Sequence, residues 1–351
     1  MNLTRAPQRV AQQSGRSMHH ALTRLEVLLV LSVISLNLIL FLPFVEYARE
    51  SARKNQCRSQ LQKLSLATHL YYEAYNRFPA GFDLASNGPY QGWGWNVKLL
   101  PYLDAGPLYH SIEPHFATGL AGLPPAEDSL LRRPSLVCPS DPKPLAVPHA
   151  QVNTSVVDDG VVGPNSADWL DRLPRTSYFG SAAYLQLEFG GIQYNSAGIP
   201  TSLRPLTNAG SLGHFGKSSA PDRRYCDTVT FGGVFGQNSQ IEIKQIMDGT
   251  SNTILVGERY APADSDVTAV GHGTWLGVPD CTSRQGLAMA LADTSVRINV
   301  GLPGREQVTG FGSLHPGGAQ FAFCDGRVRF ISQSIDIELL RSLSVINDCE
   351  R

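Results

Sequence analysis

Charge is scarce in this chain. Asp, Glu, Lys and Arg make up 17% of its 351 residues, the formal net charge is −1, and no dense block of Lys or Arg occurs beyond the N-terminal region. Binding a nucleic-acid backbone requires a concentrated basic face, so nucleic acid is excluded as a partner. Several chemical signatures are also missing. There is no Cys-x-x-Cys, which argues against a zinc ribbon or a thioredoxin-like redox pair, and there is neither a Gly-x-Ser-x-Gly elbow nor a His-Glu-x-x-His motif. After residue 45 no second apolar run is long enough to cross a membrane.

What is abundant is glycine, with 33 residues, and proline, with 23. That composition favours short strands, many turns and ordered loops over a helical bundle. One apolar run stands out: residues 27–45 read VLLVLSVISLNLILFLPFV and carry no charge. Nineteen helical residues at about 1.5 Å each span a hydrocarbon core. Arg5, Arg9, Arg16 and Arg24 precede the run, with no acid before Glu26, so the positive-inside bias holds the N-terminus in the cytoplasm. The small-x-small pattern of ordinary signal-peptidase cleavage is missing after the run, which predicts a retained anchor. Beyond Pro43 the sequence keeps a helical period, with Leu61, Leu64, Thr68, Tyr71 and Tyr75 on one face, and predicts a helix over 22–75 kinked near Pro43.

In the rest of the chain, 320–324 and 327–332 read as two strands joined by a tight Asp325-Gly326 turn. Asp248-Gly249 is a second turn leading into a strand at 253–256. Trp93, Trp95, Leu99, Leu100 and Leu103 with Pro101 predict a short helix broken by proline and packed on the stem. Residues 146–239, rich in Gly, Pro and Asn, read as an insertion without assigned elements. The fold class is α+β, a long N-terminal transmembrane and stem helix on an antiparallel sheet.

Few residues suggest chemistry. His315 and Asp325, with Ser313 nearby, admit a hydrolytic or metal site, but the Pro316-Gly317-Gly318 turn favours a histidine that bonds the base of its own hairpin. At about 3.3 Å per strand residue, 320–324 alone separates His315 from Asp325 by roughly 15 Å. His110, Glu113 and His115 lie close together, but Pro114 breaks their helical spacing. Asp264-Ser265-Asp266 resembles a fragment of a calcium loop and reads as a solvated turn. The Gly232-Gly233 and Gly236 cluster lacks the context of a phosphate loop. No metal or cofactor is expected. Six cysteines, Cys57, Cys138, Cys226, Cys281, Cys324 and Cys349, permit disulfides in a domain outside the cytoplasm, with fifteen full pairings open.

The stretch ALTRLEVLLVLSVISLNLILFLPF resembles a prepilin-type cleavage and methylation segment. Downstream, residues 92–109, 136–141 (LVCPSD), 176–180 (TSYFG), 247–258 (MDGTSNTILVGE) and 311–332 are similar to the ordered landmarks of a bacterial family. That family couples such a segment to a large domain of unknown function and a C-terminal H-X9-DG box, here His315 and Asp325-Gly326. The resemblance implies a type II secretion pseudopilin-like protein with a pilin-like fold. It has a leader at 1–21, a helix at 22–75 and an extracytoplasmic domain at 76–351. It also implies cutting by a prepilin peptidase between Ala21 and Leu22, with Glu26 offsetting the terminal amine of a neighbouring subunit. Ala21 stands where the family usually has Gly, Leu22 where it has Phe, and Arg24 at an apolar position, so an uncleaved anchor stays open. The landmarks further imply a Cys57–Cys138 disulfide, with Cys57–Cys349 as the alternative, while Cys324 packs in its strand.

Three functions follow as expectations. The leading one is a non-enzymatic pilin-like or pseudopilin-like protein of the cytoplasmic membrane, its partners being the membrane, a prepilin peptidase and other pilin-like subunits, with self-association through the N-terminal helix. The others are an anchored periplasmic or surface binding module, and an anchored hydrolase centred on His315 and Asp325.

Overall fold

The computed structural model describes residues 23–83, 92–117, 134–141, 146–148, 172–183, 192–194, 200–203, 232–260, 273–278, 287, 289–300 and 310–347. Helix α1 runs over Arg24–Tyr75 and continues through Pro43. Thr23 and Glu26 form a capping box at its start. The Thr23 amide donates to Glu26 Oε2 (2.8 Å) and the Glu26 amide donates to Thr23 Oγ1 (3.3 Å), satisfying two amides that the first helical turn leaves without partners. The acid at the margin of the apolar run thus has a partner within its own chain. Polar side chains inside the run bond their own helix backbone: Ser32 to the Leu29 carbonyl, Ser35 to Ser32 and Asn37 to Val33. In hydrocarbon no water would do that for them.

The chain divides into two compact units, 1–49 and 50–351. In the first, the large apolar side chains from Leu25 to Val45 are between 42% and 73% exposed. This segment is long and apolar enough to cross a membrane.

The second unit begins with the remainder of α1. Its elements are α2 (Trp95–Leu99), α3 (Gly106–Ile112), β1 (Ala146–Pro148), β2 (Arg172–Thr176), β3 (Tyr178–Ser181), β4 (Ile192–Tyr194), β5 (Pro200–Leu203), β6 (Ile254–Glu258), β7 (Gly273–Thr274), β8 (Leu291–Ala292), β9 (Gly318–Phe323), β10 (Val328–Ser332) and α4 (Ile337–Ser342). The central sheet has the order β10-β9-β6-β3-β8. All its pairings are antiparallel except β3 with β8, which is parallel, so the sheet is mixed where an antiparallel one was expected. Two smaller sheets are β1-β2-β7 and β4-β5. The stretch 146–239, read as an insertion, therefore holds β3, an interior strand of the central sheet whose four residues are all buried.

Both faces of the central sheet are covered. Leu61 and Leu64 of α1 pack with Tyr178, Leu255, Val256 and Ala322 on one side. Leu340 of α4 packs with Phe179, Ile254, Ala319, Phe321 and Phe323 on the other. Complete burial is worth about 1.5–3 kcal/mol for each such large side chain. It also explains why β9 (GAQFAF) shows no polar alternation. Of the predicted helical face, Leu61, Leu64 and Thr68 are buried and Tyr71 is half-buried, while Tyr75 is exposed. The predicted Trp-rich segment forms α2 followed by a 3-10 turn over Leu100–Leu103 that starts around Pro101, and Tyr102 stacks edge-on against Tyr71 of the stem.

The β9–β10 hairpin differs in one detail from the sequence expectation. The Phe323 amide donates to the Arg327 carbonyl (2.9 Å) and the Gly326 amide to the Phe323 carbonyl (3.0 Å), which makes Cys324, Asp325 and Gly326 a three-residue loop and not a two-residue one. In such a loop the third residue is left-handed, and Gly326 has φ +87°. Gly326→Val should lower stability by roughly 1–3 kcal/mol through backbone strain alone, because a Cβ there meets no atom closer than 3.7 Å. Asp325→Asn should be mild, since Asn can accept the Arg327 amide bond (3.0 Å) that Asp325 now accepts. Urea unfolding of both variants checks the difference.

Candidate functional site

The one group of potential metal ligands among the described residues is buried between the stem and the sheet: Cys57, Cys138, Glu258 and His315. Cys57 lies on α1, and Cys138 follows a 3-10 turn over Pro134–Leu136. Glu258 ends β6, and His315 sits in the loop before β9. The two cysteines form a disulfide with a Cα–Cα distance of 5.3 Å, within the usual range. The Cys57–Cys349 alternative is excluded by that bond. Cys324 is free and buried, and burial raises its thiol pKa.

His315 departs from the expected role of bonding its own turn. Ser313 fills that role, with a hydroxyl that donates to the Gly318 carbonyl (2.7 Å) and accepts the His315 amide (3.1 Å). The freed imidazole is fully enclosed and points inward. Its Nδ1 is 2.6 Å from Glu50 Oε1 on the stem, its Nε2 is 3.4 Å from Glu258 Oε1, and Nε2 is 3.5 Å from Cys138 Sγ. Glu50 in turn accepts from Arg53 Nε (2.9 Å) and from the Ser140 hydroxyl (3.3 Å). Glu258 Oε2 accepts the Gln320 amide (2.8 Å), and the Gln320 side chain donates to the Lys54 carbonyl (2.8 Å). The Tyr178 hydroxyl donates to Gln60 (2.6 Å). Stem, β3, β6, β9 and the segment around Cys138 are thus tied together at one buried place.

Burial of the ring opposes its charge, but the carboxylates of Glu258 and Glu50 outweigh that cost, so the His315 pKa is raised. The Glu50 pKa is lowered: desolvation works against ionisation, and the bonds from His315 and Arg53 prevail. A raised histidine stabilises the fold fully below its unfolded value of about 6.5 and loses that contribution as pH rises through its folded value. A lowered carboxylate stabilises above about 4.5 and loses its contribution as pH falls through its folded value. The disulfide form should therefore melt highest between about pH 4.5 and 6.5, with a Tm that drops toward pH 8. In His315→Gln that drop should flatten, which differential scanning calorimetry across pH checks.

Next to this network are two buried arginines. Arg175 on β2 pairs with Asp141, and burial pushes its guanidinium down to about 10. Arg259 follows Glu258, is pushed down to about 9 by burial against the opposing charge of Asp293, and lies 3.5 Å over the Phe179 ring while donating to the Leu291 carbonyl (3.1 Å).

Other sequence candidates fall elsewhere. Asp325 lies at the hairpin tip, half-buried, and bonds Arg327. His110 pairs with Glu113 (3.3 Å) on an exposed turn, and neither belongs to the metal-capable group. Ala21, Leu22, Cys226, Cys281, Cys349 and 264–266 lie outside the described residues. Sequence reasoning missed Glu50, Glu258 and Arg175. Glu258 and Asp141 had a signal, each closing a landmark block. Glu50 had none, because Arg53 three residues on gives it the look of an ordinary surface helix pair.

No curated protein and no solved structure matches the chain. A family model does match, over residues 46–338, which takes in the second unit from the stem to α4 and includes every residue of the buried network. The chain belongs to the family described as protein of unknown function DUF1559.

Proposed function

We propose that this protein is a non-enzymatic, pilin-like subunit anchored in the cytoplasmic membrane by the first half of α1, with its sheet domain on the far side. The carrying observation is the division of α1. Its apolar half, 25–45, is exposed among the described residues of its unit, while the half beyond Glu50 is clamped into a sheet domain by a disulfide and a buried ionic network. A domain stapled to the continuation of its own anchor helix transmits load to the membrane, which suits a structural or secretion-associated subunit. Lateral association with other pilin-like helices, and with copies of itself, would cover the exposed apolar half. Residues around His315 support the non-enzymatic reading: both ring nitrogens face carboxylates, and the Ser313 hydroxyl is committed to backbone bonds. A raised imidazole held between two acids is a poor general base.

Mass spectrometry of the protein from cells with and without an active prepilin peptidase tests this. The expected result is a mature chain starting at Leu22, short by the first 21 residues, and greater cutting in Ala21→Gly. An intact Met1 start in the presence of the active peptidase would leave the anchored binding module as the better reading. Protease added to spheroplasts should digest the sheet domain, and its full protection would overturn the topology.

A further inference from the structure

We infer that the thiol form of this protein binds one zinc-class cation through Cys57 Sγ, Cys138 Sγ, His315 Nε2 and Glu258 Oε1, so that disulfide and metal are alternative staples between stem and sheet. The inference is independent of the pilin-like reading. The four ligand atoms lie within 4.8 Å of one another. A tetrahedral centre with Zn–S of about 2.3 Å and Zn–N or Zn–O of about 2.1 Å has S···N edges of about 3.6 Å and N···O edges of about 3.4 Å. The protein holds Cys138 Sγ 3.5 Å and Glu258 Oε1 3.4 Å from His315 Nε2. Only the sulfurs must move, to an S···S edge of about 3.8 Å in such a centre.

The supporting groups are those a metal site requires. A ligating histidine characteristically donates its other ring N–H to a carboxylate, and His315 Nδ1 is 2.6 Å from Glu50. Glu258 is oriented by the Gln320 amide on Oε2, which leaves Oε1 buried, without a hydrogen bond, and aimed at Nε2. A carboxylate oxygen desolvated in this way is costly unless a cation or a proton faces it.

The chemistry balances without further parts. A dithiol reductant supplies two electrons and two protons to the disulfide, becoming a disulfide itself, and Cys57 and Cys138 become thiols. Cation binding then releases both thiol protons, and any proton on Nε2, to solvent. Zinc suits the mixed S, N and O donor set, whereas calcium and magnesium require oxygen ligands alone. The sequence shows no metal motif because the four ligands come from four separate stretches and no two are close neighbours in the chain.

The test uses the full chain in detergent, reduced with a phosphine, stripped of metal and titrated with Zn²⁺ against a chromophoric chelator and, separately, with Co²⁺. One equivalent should bind, and Co²⁺ should give thiolate charge-transfer absorption with tetrahedral ligand-field bands. His315→Ala and Glu258→Gln should each weaken binding at least tenfold, Glu50→Gln less, and Asp325→Asn not at all. The oxidised wild-type chain, identical in sequence and folded, should bind none, so the comparison survives even if a variant fails to fold. Binding well below one equivalent by the reduced chain would overturn the inference, as would equal affinity in the oxidised chain or Co²⁺ spectra without thiolate absorption.

Discussion

Replacing both Cys57 and Cys138 by serine should cost the metal-free protein about 4 kcal/mol of stability. The bond closes a loop with a sequence separation of 81, and the chain-entropy relation gives about 4.5 kcal/mol for a loop of that size. Against a typical domain stability of about 5–15 kcal/mol, that loss removes about a quarter or more of the total. The damage should be local as well as global. Cys57 is fully buried beside the ionic network, and without the bond the stem around Glu50 is held by non-covalent contacts: the His315 and Ser140 bonds to Glu50, the hydrogen bonds of Lys54 and Gln60, Lys54 over the Phe330 ring, and the packing of Leu61. Hydrogen exchange should therefore show amides of 50–61 opening before those of β9. Unfolding by guanidinium in oxidised buffer measures the first effect, and a change below about 1 kcal/mol would contradict it.

Asp141→Ala should cost a similar amount, about 3–5 kcal/mol, by a different route. Arg175 has almost no solvent exposure, and its Nε and Nη1 have no hydrogen-bond partner among the described residues. Its charge is balanced by Asp141, which is itself buried. Removing the carboxylate leaves a desolvated guanidinium without a paired carboxylate among the described residues, and the guanidinium cannot escape by shedding its proton cheaply even with its pKa lowered to about 10. Removing both partners avoids that penalty. Asp141→Leu combined with Arg175→Met should recover most of the loss, because an apolar pair of similar volume replaces two charges that were expensive to bury. If the double variant is as unstable as Asp141→Ala alone, the pair's geometry and not its charge is what β2 needs. Chemical unfolding of the three variants separates the cases.

The sequence alone determined the features that depend on neighbours along the chain. A charge-free run of membrane-spanning length, arginines ahead of it, a helical period beyond Pro43 and an Asp-Gly turn between apolar runs are all local patterns, and local backbone physics is sufficient to read them. The pairing of Cys57 with Cys138 was legible through the resemblance of both flanking stretches to family landmarks. Tertiary structure alone decided the rest. β3 became an interior strand of the main sheet within a stretch whose Gly and Pro content hides it, because burial on both faces, supplied by α1 and by α4, overrides weak local propensity. His315 was assigned to its own turn by its nearest neighbours, yet its ring turns inward to Glu50, 265 positions earlier, and to Glu258. A buried imidazole must find partners wherever the packed chain provides them, and in this fold they come from a helix and a strand that no local period connects to it.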